Sequence, residues 1–182
     1  MTGHEKALNP IDIARHWLQN FEDALVIQDM SAVAKMFLLE SYWRDLVAFT
    51  WHISTFSSRE AINSAMCEFI PSSEPCNFRL SEDRTSPHWV NRVGVDAIEA
   101  MFCFETRSGK GSGVLRLVPE PGNEGSFLAW VLLTSLDEIK GHEELIGKTI
   151  TVQYFEETKN DKGGISLRFP TVKHIYENER DC

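Results

Sequence analysis

Apolar side chains near the start of the chain recur at the three- and four-residue spacing of one buried helical face. This spacing predicts a first helix over about residues 10–27, with Asn9 as its N-cap and Pro10 as its first residue. Ser31 is placed to cap a second, short helix that carries Phe37 on its inner face. The first stretch of the chain is therefore predicted to be helical.

A third helix and then a series of strands follow. Ser57 and Glu60 form a capping-box pattern before an apolar periodic segment, which Pro71 is expected to end. Alternating or β-rich segments predict strands at residues 41–50, 53–56, 77–81, 97–105, 114–118 and 126–134. Three glycines between residues 109 and 113 predict a hairpin turn, because strands flank them on both sides. The predicted fold class is α+β, with three N-terminal helices packed on one face of an antiparallel sheet.

Length, composition and charge narrow the class of protein. The 182 residues, of which 42% are hydrophobic, suit one globular domain spanning residues 1–182. A formal net charge of −9 disfavours nucleic acid and anionic membranes as partners. The longest apolar run, Phe127 to Leu133, is far shorter than the roughly 20 residues of a membrane-spanning helix.

No targeting or metal-binding pattern stands out. The first ten residues lack the basic and apolar regions of a secretory signal. The four cysteines show no zinc spacing, so we expect free thiols, a cytoplasmic protein and no metal site. No dinucleotide, Walker A or nucleophile-elbow motif occurs either.

Two segments resemble a known family. Residues 41–56, which read Ser-Tyr-Trp-Arg-Asp-Leu-Val-Ala-Phe-Thr-Trp-His-Ile-Ser-Thr-Phe, and residues 130–144 resemble the SnoaL-like domain at the N-terminus of flavin-containing monooxygenase-like proteins. The resemblance implies a nuclear transport factor 2-like (NTF2-like) cone, in which the sheet is strongly curved, with its core at about residues 10–144. Residues 148–182 are then an extension, in which Ile150–Phe155 and Ile165–Phe169 are predicted to form a hairpin turned at residues 160–164.

The chain departs from that family at two points. No flavin- or nicotinamide-binding region is recognisable before Cys182, so we expect no cofactor and no monooxygenase activity. An acidic residue commonly follows the second tryptophan of the motif in the family, and His52 occupies that position here.

The resemblance implies a pocket between helices and sheet in which ionisable groups act as acid and base, since burial shifts their pKa values toward working pH. Asp45 is the first candidate, because strand alternation places it on the face of Trp43. The alternative for Asp45 is a structural role, either as a salt bridge to Arg44 or Arg116 or as a cap for the helix-strand junction. His52 is the second candidate, because histidine titrates near neutrality.

Glu99 is the third catalytic candidate. It shares a strand face with Met101; if that face lines the cone, burial is expected to raise its pKa, and otherwise it is a surface carboxylate. Arg116 on the next strand is a possible partner of Glu99 or of a substrate oxyanion. The remaining predicted substrate-binding residues are Trp43, Arg44, Trp51, Met101 and Trp130.

The leading functional prediction is a cofactor-independent cyclase, isomerase or epoxide hydrolase that acts on a small hydrophobic biosynthetic intermediate. The alternatives are a non-catalytic ligand-binding or dimerisation module and a pure interaction protein. The resemblance also makes a homodimer plausible. Its interface would use Phe102, Phe104, Leu128 and Leu132 if their face lies outside the cone.

Overall fold

The computed structural model describes residues 9–123, 125–142, 149–153, 156–159, 165–168 and 171–176. The chain divides into two compact units, Met1–His142 and Glu143–Cys182, and each is described by itself. Among the described residues, no helix combines the length and the apolar character needed to cross a membrane.

The first two helices begin at polar caps. Helix α1 (Pro10–Val26) confirms the first prediction, and the side chain of Asn9 accepts a hydrogen bond from the Ile11 amide at 3.1 Å. Helix α2 (Met30–Lys35) is capped by Asp29 and not by Ser31, because the Asp29 carboxylate reaches the amide of Ala32 at 2.9 Å.

The third helix, α3 (Arg59–Ser73), begins one residue later than the capping-box pattern indicates. Its N-cap is Ser58, whose hydroxyl accepts from the Ala61 amide at 3.3 Å. Pro71 does not end the helix, which continues through Ser73. A proline in the last turn costs one backbone hydrogen bond there, and the two residues after it keep helical geometry.

The first unit contains one seven-stranded sheet. Its strands are β1 (Phe37–Leu46), β2 (Ile53–Ser57), β3 (Cys76–Leu80), β4 (His88–Arg92), β5 (Val95–Glu105), β6 (Gly109–Pro119) and β7 (Phe127–Ile139). The order is β2-β1-β7-β6-β5-β3, and β4 also pairs with β5. Phe37 therefore starts a strand and does not belong to α2 as predicted.

The α+β class is confirmed, with helices packed on a curved sheet, but the sheet is mixed and not wholly antiparallel. Strand β1 pairs with β7 in parallel, whereas every other neighbour in this sheet is antiparallel. A parallel pair needs a long connection, which the intervening residues 47–126 supply. The first strand thus joins the last one.

Aromatic rings fill the core between α1 and the sheet. Phe78 lies 5.4 Å from both Phe21 and Phe104, measured between ring centroids, and Phe49 stacks on Phe104 at 5.4 Å. Phe102 and Leu132 are buried in the same cluster. Because Phe102, Phe104 and Leu132 belong to this core, the condition for their use in a homodimer interface is not met; Leu128 is also buried but lies outside this cluster.

The glycines of the predicted turn are strand residues. Gly109, Gly111 and Gly113 belong to β6, and the turn is formed by residues 106–108. Gly113 lies opposite Phe102, and Gly111 lies opposite Phe104. A Cβ atom at either glycine would overlap the facing phenyl ring and a carbonyl oxygen of β7. These glycines make room for the aromatic core.

The second unit contains two two-stranded sheets and not the single hairpin predicted. Strand β8 (Thr149–Gln153) pairs with β11 (Thr171–Tyr176), and β9 (Glu156–Lys159) pairs with β10 (Ile165–Arg168), all antiparallel. The segment from residue 150 thus pairs with β11, and not with residues 165–169 as expected. The predicted turn at residues 160–164 lies outside the described residues.

Candidate functional site

Asp45 lies in β1 and has no exposed surface. One of its carboxylate oxygens accepts a hydrogen bond from the Thr134 hydroxyl at 2.7 Å. The other accepts from the amides of Phe49 and Thr50 at 3.1 and 2.9 Å, and from the Thr50 hydroxyl at 2.8 Å. Asp45 shares the face of Trp43, as strand alternation predicted, but neither Arg44 nor Arg116 is its partner.

These bonds hold the β1–β2 loop, residues 47–52, against β7. Val47 and Trp51, near the two ends of the loop, have φ values of 58° and 57°, and residues other than glycine rarely adopt such values. The buried carboxylate offsets this strain by accepting the inward-pointing amides of the loop. Asp45 therefore has a structural role, as the alternative drawn from the sequence allowed, but its partners are loop amides and threonine hydroxyls and not an arginine.

Trp43 and His52 are attached to the same network. The Trp43 ring donates from Nε1 to the Thr134 hydroxyl at 2.9 Å, and the whole residue is buried. His52 is exposed, and its Nδ1 lies 2.8 Å from the Thr50 carbonyl oxygen. Thr50 thus connects Asp45 to His52 through its hydroxyl, while the two side chains make no direct hydrogen bond.

Glu99 lies on the opposite face of the sheet from Asp45. Its neighbours in β5, Ile98 and Ala100, belong to the core cluster, so alternation directs Glu99 away from the helices. The Glu99 carboxylate accepts from Arg116 Nε at 2.7 Å and from Arg92 at 3.0 Å.

A raised pKa at Glu99 is expected only if its face lines the cone, and that condition is not met. Burial alone raises the pKa of this carboxyl, but hydrogen bonds and charge from Arg92 and Arg116 outweigh it and leave the pKa below its ordinary value. Glu99 is thus ionised near neutral pH and has no proton to donate there. The predicted pairing with Arg116 is present.

The structure does not bring the remaining predicted site residues together. Arg44 is exposed and makes a long contact of 3.5 Å to the Thr55 hydroxyl on β2, while Met101 is half-buried on the face of Glu99. Trp51 is 54% exposed near the end of its loop, and Trp130 is half-buried in β7. Their roles in catalysis and binding remain predictions. Within the described parts of the chain, no group of three or more His, Cys, Asp or Glu residues is arranged to hold a metal ion.

A half-open cleft of about 930 Å³ lies elsewhere, between the first half of α1, the end of α2 and the β6–β7 turn. Its apolar lining includes Ile13, Trp17, Met36 and Phe127. Trp17 donates from Nε1 to the Met36 carbonyl oxygen at 3.4 Å, which fixes the indole between the helix and the start of β1. The volume is within the range of small-molecule sites.

Polar groups line the two walls of this cleft. On α1, His16 and Asn20 lie one turn apart, and the Asn20 amide nitrogen is 3.0 Å from His16 Nε2. On the turn, Glu120 accepts from Asn123 Nδ2 at 2.9 Å. Hydrogen bonds from Ser126 and then Asn123 lower the pKa of Glu120 below its ordinary value.

Sequence reasoning missed the cleft because its walls are about a hundred residues apart in the chain. Asn9, His16 and Asn20 follow the helical spacing of α1 on the side next to its buried stripe, which is the pattern of an ordinary solvated face. The turn around Glu120 resembled any polar hairpin connection. Only the predicted burial of Trp17 pointed toward this region.

Comparison with known proteins identifies no family for the chain. No family profile matches it, and no curated protein does so either. Solved structures with a similar fold include an NTF2-like protein of unknown function from Pseudomonas putida KT2440, at 9% identity and a TM-score of 0.49, with coverage of 75% of this chain and 94% of that one. A second is an uncharacterized protein with a cystatin-like fold from Caulobacter vibrioides, at 13% identity and a TM-score of 0.49, with coverage of 71% and 90%.

A third similar structure is a cystatin-like fold protein from Burkholderia xenovorans LB400, at 17% identity and a TM-score of 0.47, with coverage of 69% and 90%. The descriptions of these structures concern their folds, and we base no functional argument on them. The expected link to flavin monooxygenase-like proteins is unsupported by these comparisons and stays a prediction.

Proposed function

We propose that this protein binds a small molecule with an apolar body and a polar edge in the cleft beside Trp17. The observation that carries the proposal is the cleft itself, in which apolar side chains are bordered by His16, Asn20 and Glu120. Concave sites of this size, with a mainly apolar lining and a few polar groups, are typical of ligand-binding pockets. The proposal corresponds to the ligand-binding alternative drawn from the sequence.

The contacts of Asp45 favour binding here over acid/base catalysis at Asp45. A catalytic carboxylate must come within hydrogen-bond reach of its substrate. Asp45 is fully buried, and both of its oxygens are engaged by Thr50, Phe49 and Thr134. A substrate would have to displace the β1–β2 loop to reach it.

Acid/base chemistry in the cleft is the second candidate function, because His16 and Glu120 provide ionisable groups on two of its walls. Opening of styrene oxide by water to the diol is a suitable probe reaction, since it needs only proton transfer and an aromatic binding site. A rate that falls in His16→Gln, and not in His88→Gln outside the cleft, supports this function. Equal rates in all three proteins refute it.

A blocking variant tests the binding proposal. Asn20 is exposed on α1 and lines the cleft, while Gln19 beside it is exposed and does not. Asn20→Trp is therefore expected to fill the cleft, and Gln19→Trp serves as the matched control. The probe is 1-naphthalenemethanol, titrated by isothermal calorimetry at neutral pH.

We expect the probe to bind the wild type and Gln19→Trp with similar affinity. Its affinity for Asn20→Trp should be at least tenfold lower. A gain of about 0.4 kcal/mol per non-hydrogen atom predicts a Kd of a few hundred micromolar for this probe. Absence of binding to the wild type by this alcohol and by its amine and carboxylate analogues, or equal binding of the alcohol to both tryptophan variants, would overturn the proposal. Circular dichroism on both variants checks that α1 is intact.

A further inference from the structure

We propose that the cleft selects molecules whose apolar body carries a protonated amine, and that Glu120 is the residue that pairs with the ammonium group. The inference deepens the proposed function and rests on it. It depends on how the charged groups around the cleft are already partnered, and on which of them is left for a ligand.

Glu120 carries a negative charge that no ion pair neutralises within the described part of the chain. Asn123 Nδ2 donates to its carboxylate at 2.9 Å, and this amide group is uncharged. The pKa of Glu120 is held low first by hydrogen bonding from Ser126 and Asn123, and only last by the charge of Arg59. Arg59 keeps its positive charge while its Nε donates to the neutral Phe37 carbonyl oxygen at 2.8 Å, and it acts on Glu120 through charge alone, without a direct salt bridge among the described residues.

A carboxylate offers about four acceptor positions, and neutral donors occupy only some of those on Glu120. A ligand ammonium has three donors and no acceptor, so it complements the remaining positions without displacing Asn123. Charge-assisted bonds of this kind are shorter and about twice as strong as neutral ones. Glu120 is thus prepared to accept a cation at the edge of the apolar lining.

The other charged groups lining the cleft leave this preference in place. The carboxylate of Asp12 is paired with Arg15 at 3.0 Å on the exposed side of α1. Lys35 is the cation among the described lining residues, and it lies in the last turn of α2, where a positive charge is favoured by the carbonyl groups of the helix end. His16 already contacts Asn20 through Nε2.

The remaining lining suits the body of such a ligand. Met36 and Phe127, which are half-buried, and the edge of Trp17, which is 5% exposed, provide the apolar part of the lining of the cleft that also contains Glu120. The negative net charge of the chain also favours the approach of a cation over that of an anion. An arylalkyl amine meets both requirements with one molecule.

Three probes with the same aromatic body separate the charge preference from binding as such. They are 1-naphthalenemethylamine, 1-naphthalenemethanol and 1-naphthoate, which are cationic, neutral and anionic at pH 7. The expected order of affinity is amine, then alcohol, then carboxylate, with the amine about tenfold tighter than the alcohol, equivalent to about 1.4 kcal/mol. Raising the salt concentration to 0.5 M should reduce this ratio, because Glu120 is only half-buried.

Two variants with equal changes in net charge assign the preference to one residue. Glu120→Gln should bind the amine and the alcohol equally, while Glu68→Gln, exposed on α3 outside the cleft, should keep the wild-type ratio. Glu120→Lys should bind the naphthoate better than the amine. Glu120 is a turn residue and Glu68 is exposed on a helix, and thermal unfolding verifies that each variant is folded.

The outcomes distinguish the two proposals. If none of the three probes binds, the proposed function itself fails. If the alcohol binds as tightly as the amine and Glu120→Gln changes neither, the cleft binds ligands but the charge inference is overturned. Tightest binding of the naphthoate, lost in Lys35→Met, would also overturn it and assign selection to the lysine.

Discussion

Replacing Asp45 by asparagine tests whether this residue stabilises the fold or performs chemistry. Asp45 accepts four close hydrogen bonds, from Thr134, Phe49 and Thr50. Asparagine has one acceptor oxygen where aspartate has two, and its NH₂ group would meet a donor at whichever oxygen it replaces.

The less costly orientation places the new NH₂ group toward Thr134, whose hydroxyl already accepts from Trp43. The loop amides then keep a neutral acceptor in place of a charged one. The variant loses one charge-assisted hydrogen bond and weakens the others, and a hydrogen bond to a charged group contributes about 1.5–3 kcal/mol. Removal of a buried charge partly offsets this loss. We expect Asp45→Asn to lower the free energy of unfolding by about 3 kcal/mol, a large part of the stability of a typical domain.

Urea unfolding followed by tryptophan fluorescence measures this change, and Asp137→Asn, exposed on β7, is the matched control and should be neutral. Hydrogen exchange at the Phe49 and Thr50 amides should accelerate in Asp45→Asn, because the loop is released locally. A variant within 0.5 kcal/mol of the wild type, with unchanged amide exchange, would refute the structural role. If styrene oxide opening is present and disappears in a fully stable variant, Asp45 is catalytic after all.

Three further predictions concern other parts of the first unit. Glu99→Gln should lower the free energy of unfolding by about 1 kcal/mol at pH 7. Because the pKa of Glu99 is lowered in the folded protein, the stabilisation it gives is present above the ordinary value of 4.5 and is lost as the pH falls further. Urea titrations of wild type and variant should therefore converge in acid, and a constant difference would contradict the ion-pair argument. Gly113→Ala should destabilise the unit by about 3 kcal/mol or prevent folding, since the added Cβ would overlap the Phe102 ring and a backbone oxygen. A thermal unfolding transition like that of the wild type would contradict this prediction, because it would mean that the strands move apart there at no cost. Val93→Asn should raise the Tm by about 3 °C. Val93 is 99% exposed and forms a two-residue hairpin loop with Gly94 in which both residues have positive φ, and Asn-Gly is the preferred sequence for such a loop. An unchanged or lower Tm in calorimetry would contradict this prediction.

The sequence predicted elements whose pattern is local and missed those that depend on partners. The apolar period of α1 defines its ends to within one residue. Strand β4 was not predicted, because its residues are nearly all exposed and show no apolar alternation. Its pairing depends on the edge of β5, which a local pattern does not contain.

Strand alternation identified two faces of β5 but not which of them is buried under the helices. Both faces carry apolar residues, Phe102 and Phe104 on one and Met101 and Cys103 on the other. The choice follows from the glycines of β6, which make room for phenyl rings on one face only. The sequence pattern of these glycines predicts a turn. Their alternation along a strand, which marks the inner face of β5, is therefore visible in the sequence only if they are assigned to β6.

The two sequence segments at residues 41–56 and 130–144 meet in the fold through one hydrogen-bond network. Trp43, Asp45 and Thr50 come from the first segment, and Thr134, the acceptor of Trp43 and donor to Asp45, comes from the second. Together they fasten the parallel β1–β7 pair and the strained loop after β1. Residues that secure the junction of a sheet are needed whatever the protein binds. The cleft beside Trp17 uses none of these four residues, so the residues that secure the sheet are separate from those that line the cleft.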